Sequence, residues 1–246
     1  MNHSETYLKE MGLWPLYRQR SAVADRETRS EIELPSSDTA IALSDGDRRT
    51  DIARMDWTQL KQSVKNCTAC GLRAGCTQTV FGVGDEKAQW LFVGEGPGAE
   101  EDQRGEPFVG QAGRLLDNML AAIGLKRGEN AYIANIVKCR PPGNRNPEAA
   151  EALACAPYLA RQIELIQPKL IVALGKVAAA NLLATTAPIG SLRGKLHDYR
   201  GFPLIATYHP AYLLRSLPDK AKAWADLCFA RRTIAERLAV GNIRDY

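Results

Sequence analysis

The sequence predicts an α/β fold: a three-layer αβα sandwich around a mainly parallel, four-stranded sheet. Two observations carry this. Four short apolar runs, at residues 89–93, 131–137, 170–174 and 204–207, have the length of buried strands. Helix-patterned stretches separate them, and strands that alternate with helices pair in parallel, with helices covering both faces. A third observation places the ligand. Open sheets of this kind bind ligands beyond the carboxyl ends of their strands, and there the chain carries a glycine turn with carboxylates, an asparagine, a cysteine–arginine loop and a histidine.

Taken in order, residues 1–56 form an N-terminal extension. Residues 7–16 suit one short amphipathic helix, and residues 30–54 are rich in Ser, Asp, Glu and Arg with few aromatics. That composition cannot bury enough apolar surface to fold alone, which predicts a disordered linker. The pattern from Leu8 to Arg18, with Met11, Gly12 and Trp14 inside it, faintly resembles the N-terminal peptide of a clamp-loader accessory subunit of bacterial replicases. The resemblance implies a replication or repair protein as partner; a helix packing on its own domain is the plainer reading.

The folded domain is expected over residues 57–240, with a tail at 241–246. A helix at 57–64 leads into Cys67-Thr68-Ala69-Cys70. The first strand, 89–93, breaks at Gly94-Glu95-Gly96-Pro97-Gly98, where glycines permit a tight turn and close approach to a ligand. Glu100, Glu101 and Asp102 follow, then Phe108 between Pro107 and Val109-Gly110. Carboxylates beside an aromatic suit a pocket for a flat polar ligand; a surface loop is the bland alternative. A helix over 113–123 puts Leu115, Leu116, Met119, Leu120 and Ile123 on one stripe, and Gly124 ends it. Strand 131–137 contains Asn135. The loop to Asn146 carries Cys139, Arg140 and Arg145, a rigid basic segment suited to phosphate contacts. Pro147 in a first turn capped by Asn146 opens a helix to 166. The third strand ends at Gly175-Lys176, followed by a helix to about 183. The fourth ends at Tyr208-His209-Pro210, where a loop tip with Leu213 and Leu214 could wedge into a duplex. A last helix spans 219–238.

Composition sets limits on the function. A formal charge of +4 permits nucleic-acid binding without demanding it. No apolar run approaches the ~20 residues of a membrane span, and the first twenty residues lack a signal-peptide core. The expectation is a cytoplasmic, nucleoid-associated monomer. Six cysteines in such a chain favour metal ligation or buried thiols over disulfides. The C-x-x-C of Cys67 and Cys70 lets one turn offer two sulfurs, and Cys139 and Cys155 could close a four-thiolate site. From spacing alone, zinc and an iron–sulfur cluster are both open. Cys228 suits buried packing, and Cys76 is ambiguous. The Gly94-x-Gly96 turn is a poor dinucleotide fingerprint, because Pro97 and the carboxylates are bad neighbours for a pyrophosphate.

Four motifs together are specific: Gly94-Glu95-Gly96-Pro97-Gly98 with Glu101-Asp102; Pro107-Phe108-Val109-Gly110; Asn135 through Cys139 to Pro147; and His209-Pro210 through Leu214-Arg215. With the four cysteines, they resemble the family 4 uracil-DNA glycosylases, which carry a [4Fe–4S] cluster, over residues 57–240. The resemblance implies a uracil-DNA glycosylase-like fold and an enzyme that flips uracil out of single- or double-stranded DNA. It would hydrolyse the glycosidic bond in base excision repair. It implies Cys67, Cys70, Cys139 and Cys155 as cluster ligands, Phe108 stacked on the base, and Asn135 reading its edge. Gly94 and Gly96 would lie against the base. His209 would stand by O2. Arg140, Arg145, Leu214 and Arg215 would hold the DNA. The best-known glycosylases of the wider superfamily have an Asp where Gly96 stands, so water activation falls to Glu95, Glu101 or Asp102, with Glu95 preferred. A histidine-bearing loop after Cys139, used by a covalent relative, is absent. The alternative of a different class is a non-catalytic iron–sulfur or zinc DNA-binding module using the same rim.

Overall fold

The computed structural model describes residues 45–241. The readings for residues 1–44, including the short helix and its partner, lie outside the described residues. Within the described chain the linker reading needs correction. Residues Asp45–Arg54 form a helix (α1), and Ile52 on it packs with Leu60, Val64 and Tyr158. This helix has a single deeply buried apolar residue, so composition gives no sign of it. Helix α2 (Trp57–Lys65) follows, opened by a capping box in which Asp56 accepts from Gln59 N and Gln59 reaches back to Asp56 N. A single turn, α3 (Leu72–Gly75), leads to the sheet.

The sheet has six strands: β1 (Val83–Gly84), β2 (Trp90–Gly94), β3 (Ala131–Asn135), β4 (Leu170–Leu174), β5 (Leu196–Tyr199) and β6 (Phe202–Thr207). Their order is β1-β3-β2-β4-β6-β5. The four expected strands form the parallel centre, and β1 and β5 pair antiparallel at the two edges. The four-stranded expectation is thereby corrected. Strand β1 has only two residues, and β5 alternates between exposed and half-buried positions, so neither shows the apolar run of a central strand. Strands β5 and β6 join through Arg200-Gly201, both in the left-handed region, as a tight hairpin requires.

Alternating residues of the central strands feed two cores. Leu91 and Val93 pack under α6 (Ala149–Ile166) and α7 (Lys176–Leu183). Trp90 and Phe92 pack with Leu116 and Leu120 of α5 (Gln111–Ala122) and with Leu227 and Ile234 of the last helix, Asp219–Gly241. Helix α6 starts two residues later than expected: Glu148, not Asn146, caps it, with the Glu151 carboxylate accepting Glu148 N at 2.7 Å. No helix among the described residues is long and apolar enough to cross a membrane.

Candidate active site and cysteine cavity

Strand β2 lies between β3 and β4, so the chain leaves β2 on one side and returns across it to the other. Beyond the strand ends, this change of direction opens the crevice where ligands of open α/β sheets bind. A cleft of about 670 Å³ occupies it, lined by the loop after β2, by Gly175 and Lys176 after β4, and by His209 after β6.

Register shapes its floor. Gly94 and Asn135 are paired across β2 and β3. A Cβ on Gly94 would come within 2.5 Å of Asn135 Oδ1 and 2.6 Å of the Phe108 ring, so only glycine lets the three meet. Gly96 is required for a similar reason, its Cβ position lying 2.8 Å from Val137. Asn135 is 2% exposed, and its Oδ1 has no hydrogen-bond partner. A buried polar atom without a partner is costly, so Asn135 Oδ1 is an acceptor open to a donor.

Phe108 adopts a left-handed backbone, φ 55°, a strained state for a bulky residue. Its ring lies 5.4 Å from that of His209. The peptide is held on both sides. Glu101 Oε1 accepts Val109 N and Gly110 N at 2.9 and 3.1 Å, and Oε2 accepts Gly98 N at 3.1 Å. Arg127 donates to the carbonyls of Pro107 and Phe108 at 2.9 and 2.7 Å.

The three candidate carboxylates therefore separate. Glu95 lines the cleft, and burial pushes its carboxyl above the usual range. Glu101 also borders the cleft but is spent on backbone amides. Asp102 does not join them. It is 3% exposed and accepts from Thr77 N, Thr77 Oγ1 and Gln78 N, tying helix α4 (Ala99–Arg104) to the preceding loop. Asp102 is a structural carboxylate, and the expectation of a catalytic one is corrected: successive helical residues point about 100° apart, so neighbours in sequence need not share a site.

His209 Nδ1 accepts Ala211 N at 3.2 Å. Burial, and then the charge of Arg215, lower its pKa to about 4, against a smaller opposing effect of Glu101. The ring is neutral near pH 7, and its one proton sits on Nε2, because the backbone amide occupies Nδ1. His209 is thus a neutral donor at the cleft wall, a point the residue types alone left open. Gly175, at φ 91°, lets the β4 loop pass His209, whose Cβ would lie 2.8 Å from a Cβ there.

Of the basic candidates, Arg215 and Arg145 line the cleft. Arg145 also forks onto Glu151 at 2.7 and 2.9 Å, and Arg140 is braced by Asn144 at 2.7 Å. Leu214 is exposed at the tip, whereas Leu213 is buried. Sequence reasoning missed two residues. Lys176 stands exposed at the cleft edge, flagged only by a glycine at a strand end. Arg127 lies outside every motif and had no signal.

Away from the cleft, Cys67, Cys70, Cys139 and Cys155 line one cavity, with Val64, Leu72 and Tyr158 among its walls. Burial pushes the Cys155 thiol up to about 11 and Cys139 higher still, with neighbouring cysteines adding to both shifts. Lys138 opposes the shift of Cys155, and a bound cation would favour the thiolate form further. Among the described residues, no three His, Cys, Asp or Glu are grouped to share one metal ion. Arg48 of α1 donates to Cys67 Sγ at 3.8 Å. Lys138 is buried between the two sites and donates to Asn135 O at 3.0 Å and Gln162 Oε1 at 2.6 Å. Cys76 is buried and contacts Cys139 rather than lining the cavity.

A parallel-centred α/β sheet with an aromatic, an asparagine and a histidine at its carboxyl end defines a class, and comparison with known proteins agrees. The uracil DNA glycosylase superfamily profile matches residues 81–228. The type-4 uracil-DNA glycosylase of Archaeoglobus fulgidus is 47% identical over 163 residues, 62% of this chain and 80% of that protein. Those of Thermotoga maritima and Pyrobaculum aerophilum are 46% and 42% identical, over 66% and 70% of this chain and 85% and 92% of theirs. The chain belongs to the type-4 uracil-DNA glycosylases of that superfamily.

Proposed function

We propose that this protein removes uracil from DNA by hydrolysing its N-glycosidic bond, leaving an abasic site for base excision repair. The observation that carries the reading is the unpartnered, buried Asn135 Oδ1 beside Phe108. A base cannot be reached inside a duplex and must be flipped out. Uracil is flat, and Phe108 offers a face for it. Its N3–H supplies the donor that Asn135 Oδ1 lacks, and the amide NH₂ can donate to O4. Cytosine has neither group in that arrangement.

In the reaction, the N1–C1′ bond breaks and its electron pair passes to the base. Charge builds on O2, where the His209 Nε2–H donates. A donor aimed at developing charge is the largest common term in such catalysis. Glu95 takes a proton from the water that bonds to C1′, and its desolvated carboxylate is the stronger base for it. Glu101 and Gly94 shape the Phe108–Asn135 floor, and Gly96 keeps the turn close to β3. Arg215, Lys176, Arg145 and Arg140 meet the phosphates, and Leu214 fills the stack that the base leaves.

The four-cysteine donor set of the cavity supports a [4Fe–4S] cluster as its occupant. Such a cluster gives each cysteine its own iron, whereas one zinc needs all four sulfurs about 2.3 Å from a single point. Cys67, Cys70, Cys139 and Cys155 would hold it. The cluster would supply structural cross-linking, tying α2 and α6 to the β3 loop, and no step of the excision passes through it. The protein acts as a cytoplasmic, nucleoid-associated monomer, and residues 1–44 are the candidate contact for a replication or repair protein.

The test is release of free base from otherwise identical oligonucleotides holding one uracil, cytosine or thymine. Uracil release by the wild type and none by Glu95→Gln is the expected result. DNA binding without release would instead identify a non-catalytic DNA-binding module.

A further inference from the structure

Phe108 sits in a backbone state that its side chain disfavours, so something outside the residue must hold it there. Glu101 accounts for the amides that follow it. The carbonyls of Pro107 and Phe108 go to one guanidinium, that of Arg127, which comes from the turn between α5 and β3, nineteen residues from Phe108. Arg127 is itself fixed. Its Nε and Nη2 lie 2.9 and 2.8 Å from Asp117 Oδ1 on α5. Gly113, on the same helix, leaves the room: a Cβ there would lie 1.8 Å from the Phe108 carbonyl oxygen.

We infer that Arg127 is a positioning residue for uracil excision: its fork on the Pro107 and Phe108 carbonyls, anchored by Asp117, holds the Phe108 ring in the orientation that stacks on the flipped base. Arg127 is not among the residues that line the cleft and acts only through Phe108. Planarity is essential to the role. Two carbonyls and a carboxylate are met at once by a rigid fork of five donors, which a lysine ammonium cannot reproduce. Preorganisation of this kind matters because a ring ordered only on binding charges that ordering to the reaction.

The inference rests on the uracil reading of the cleft, and the test separates the two. Single-turnover excision is measured for wild type, Arg127→Ala, Arg127→Lys, Phe108→Ala and the Arg127→Ala/Phe108→Ala double variant, with melting temperatures alongside. Arg127→Ala should slow excision by roughly 10- to 100-fold, and Arg127→Lys should restore little of it. In the Phe108→Ala background, Arg127→Ala should change the rate by less than about twofold, as expected for residues acting as one unit. Independent, multiplicative losses, or wild-type excision by Arg127→Ala, would overturn the inference. Should Arg127→Ala fold poorly, Asp117→Ala removes the acceptor that anchors the guanidinium; it should give a smaller loss, of about 3- to 10-fold, that likewise vanishes without Phe108. A wild-type protein that releases no uracil would sink the uracil reading alone. The clamp would then stand or fall on a crystal structure of Arg127→Ala, where Phe108 should leave positive φ; retention of φ near its present value would refute it.

Discussion

Gly94 and Asn135 are neighbours in parallel register, and the missing side chain of one makes room for the amide of the other: a Cβ on Gly94 would reach to 2.5 Å of Asn135 Oδ1. Gly94→Ala should therefore displace the amide or the Phe108 ring and reduce uracil excision by at least about 10-fold, since buried polar pairing dominates discrimination of this kind. Asn135→Asp should do similar damage, because a carboxylate cannot donate to O4. Uracil and cytosine release, measured under single turnover, checks both. Wild-type rates in either variant would remove Asn135 as the reader of the base.

The role proposed for Glu95 puts the acid limb of the rate on its carboxyl. In that role it acts ionised, and burial raises its pKa. Excision should fall as pH drops, with a midpoint above the value of an exposed glutamate, about 4.3. Glu95→Gln should be inactive at every pH. A limb that persists in residual activity of Glu95→Gln would assign it to another group.

His209 should leave its mark on stability rather than on that limb. Its folded pKa is about 4, below an unfolded value near 6.5. Between these values the unfolded chain binds more protons, so stability is complete above about pH 6.5 and is lost as pH falls towards 4, by up to about 3 kcal/mol. Denaturant melts of wild type and His209→Gln across pH 4–7 should differ in slope over that window. Parallel curves would contradict a buried neutral imidazole.

Asp102→Ala leaves Thr77 N without its acceptor and should cost about 1–3 kcal/mol. The rate of the folded variant should change no more than a few-fold. A loss of two decades in rate at unchanged stability would return Asp102 to the catalytic set.

Deleting residues 1–44 should leave the fold and excision intact. Deleting residues 1–56 should not, since it removes Ile52 from its packing, Arg48 from Cys67 and the Asp56 cap of α2. A destabilisation of at least about 2 kcal/mol follows from the lost packing. Equal melting temperatures for the two truncations would show that α1 contributes nothing.

The central strands were legible because burial on both faces demands unbroken apolar runs, as in Leu170–Leu174. Edge strands have no such demand, which is why the Leu-His-Asp-Tyr of β5 passed unnoticed. Helix α1 was hidden for a related reason: Ile52 is its only deeply buried side chain. In the cleft, Glu95 and His209 are legible because the fold class sends residues after strand ends to one rim, whereas Phe108 reaches it only after α4. Glu101 and Asp102 could not be told apart, being adjacent in sequence and divided only by helical rotation. Arg127 reaches Phe108 through its length alone, and no local pattern records that.

The central claim is that uracil leaves its sugar in this cleft with His209 donating to the departing base. Single-turnover uracil release and affinity for uracil-containing DNA, measured side by side for wild type and His209→Ala, test it most directly. Release should fall by about 10²- to 10³-fold, while the dissociation constant changes only a few-fold, because Arg215, Lys176 and Arg145, which line the cleft, would still be in place to meet the phosphates. Wild-type release by His209→Ala, or loss of DNA binding together with release, would contradict the account.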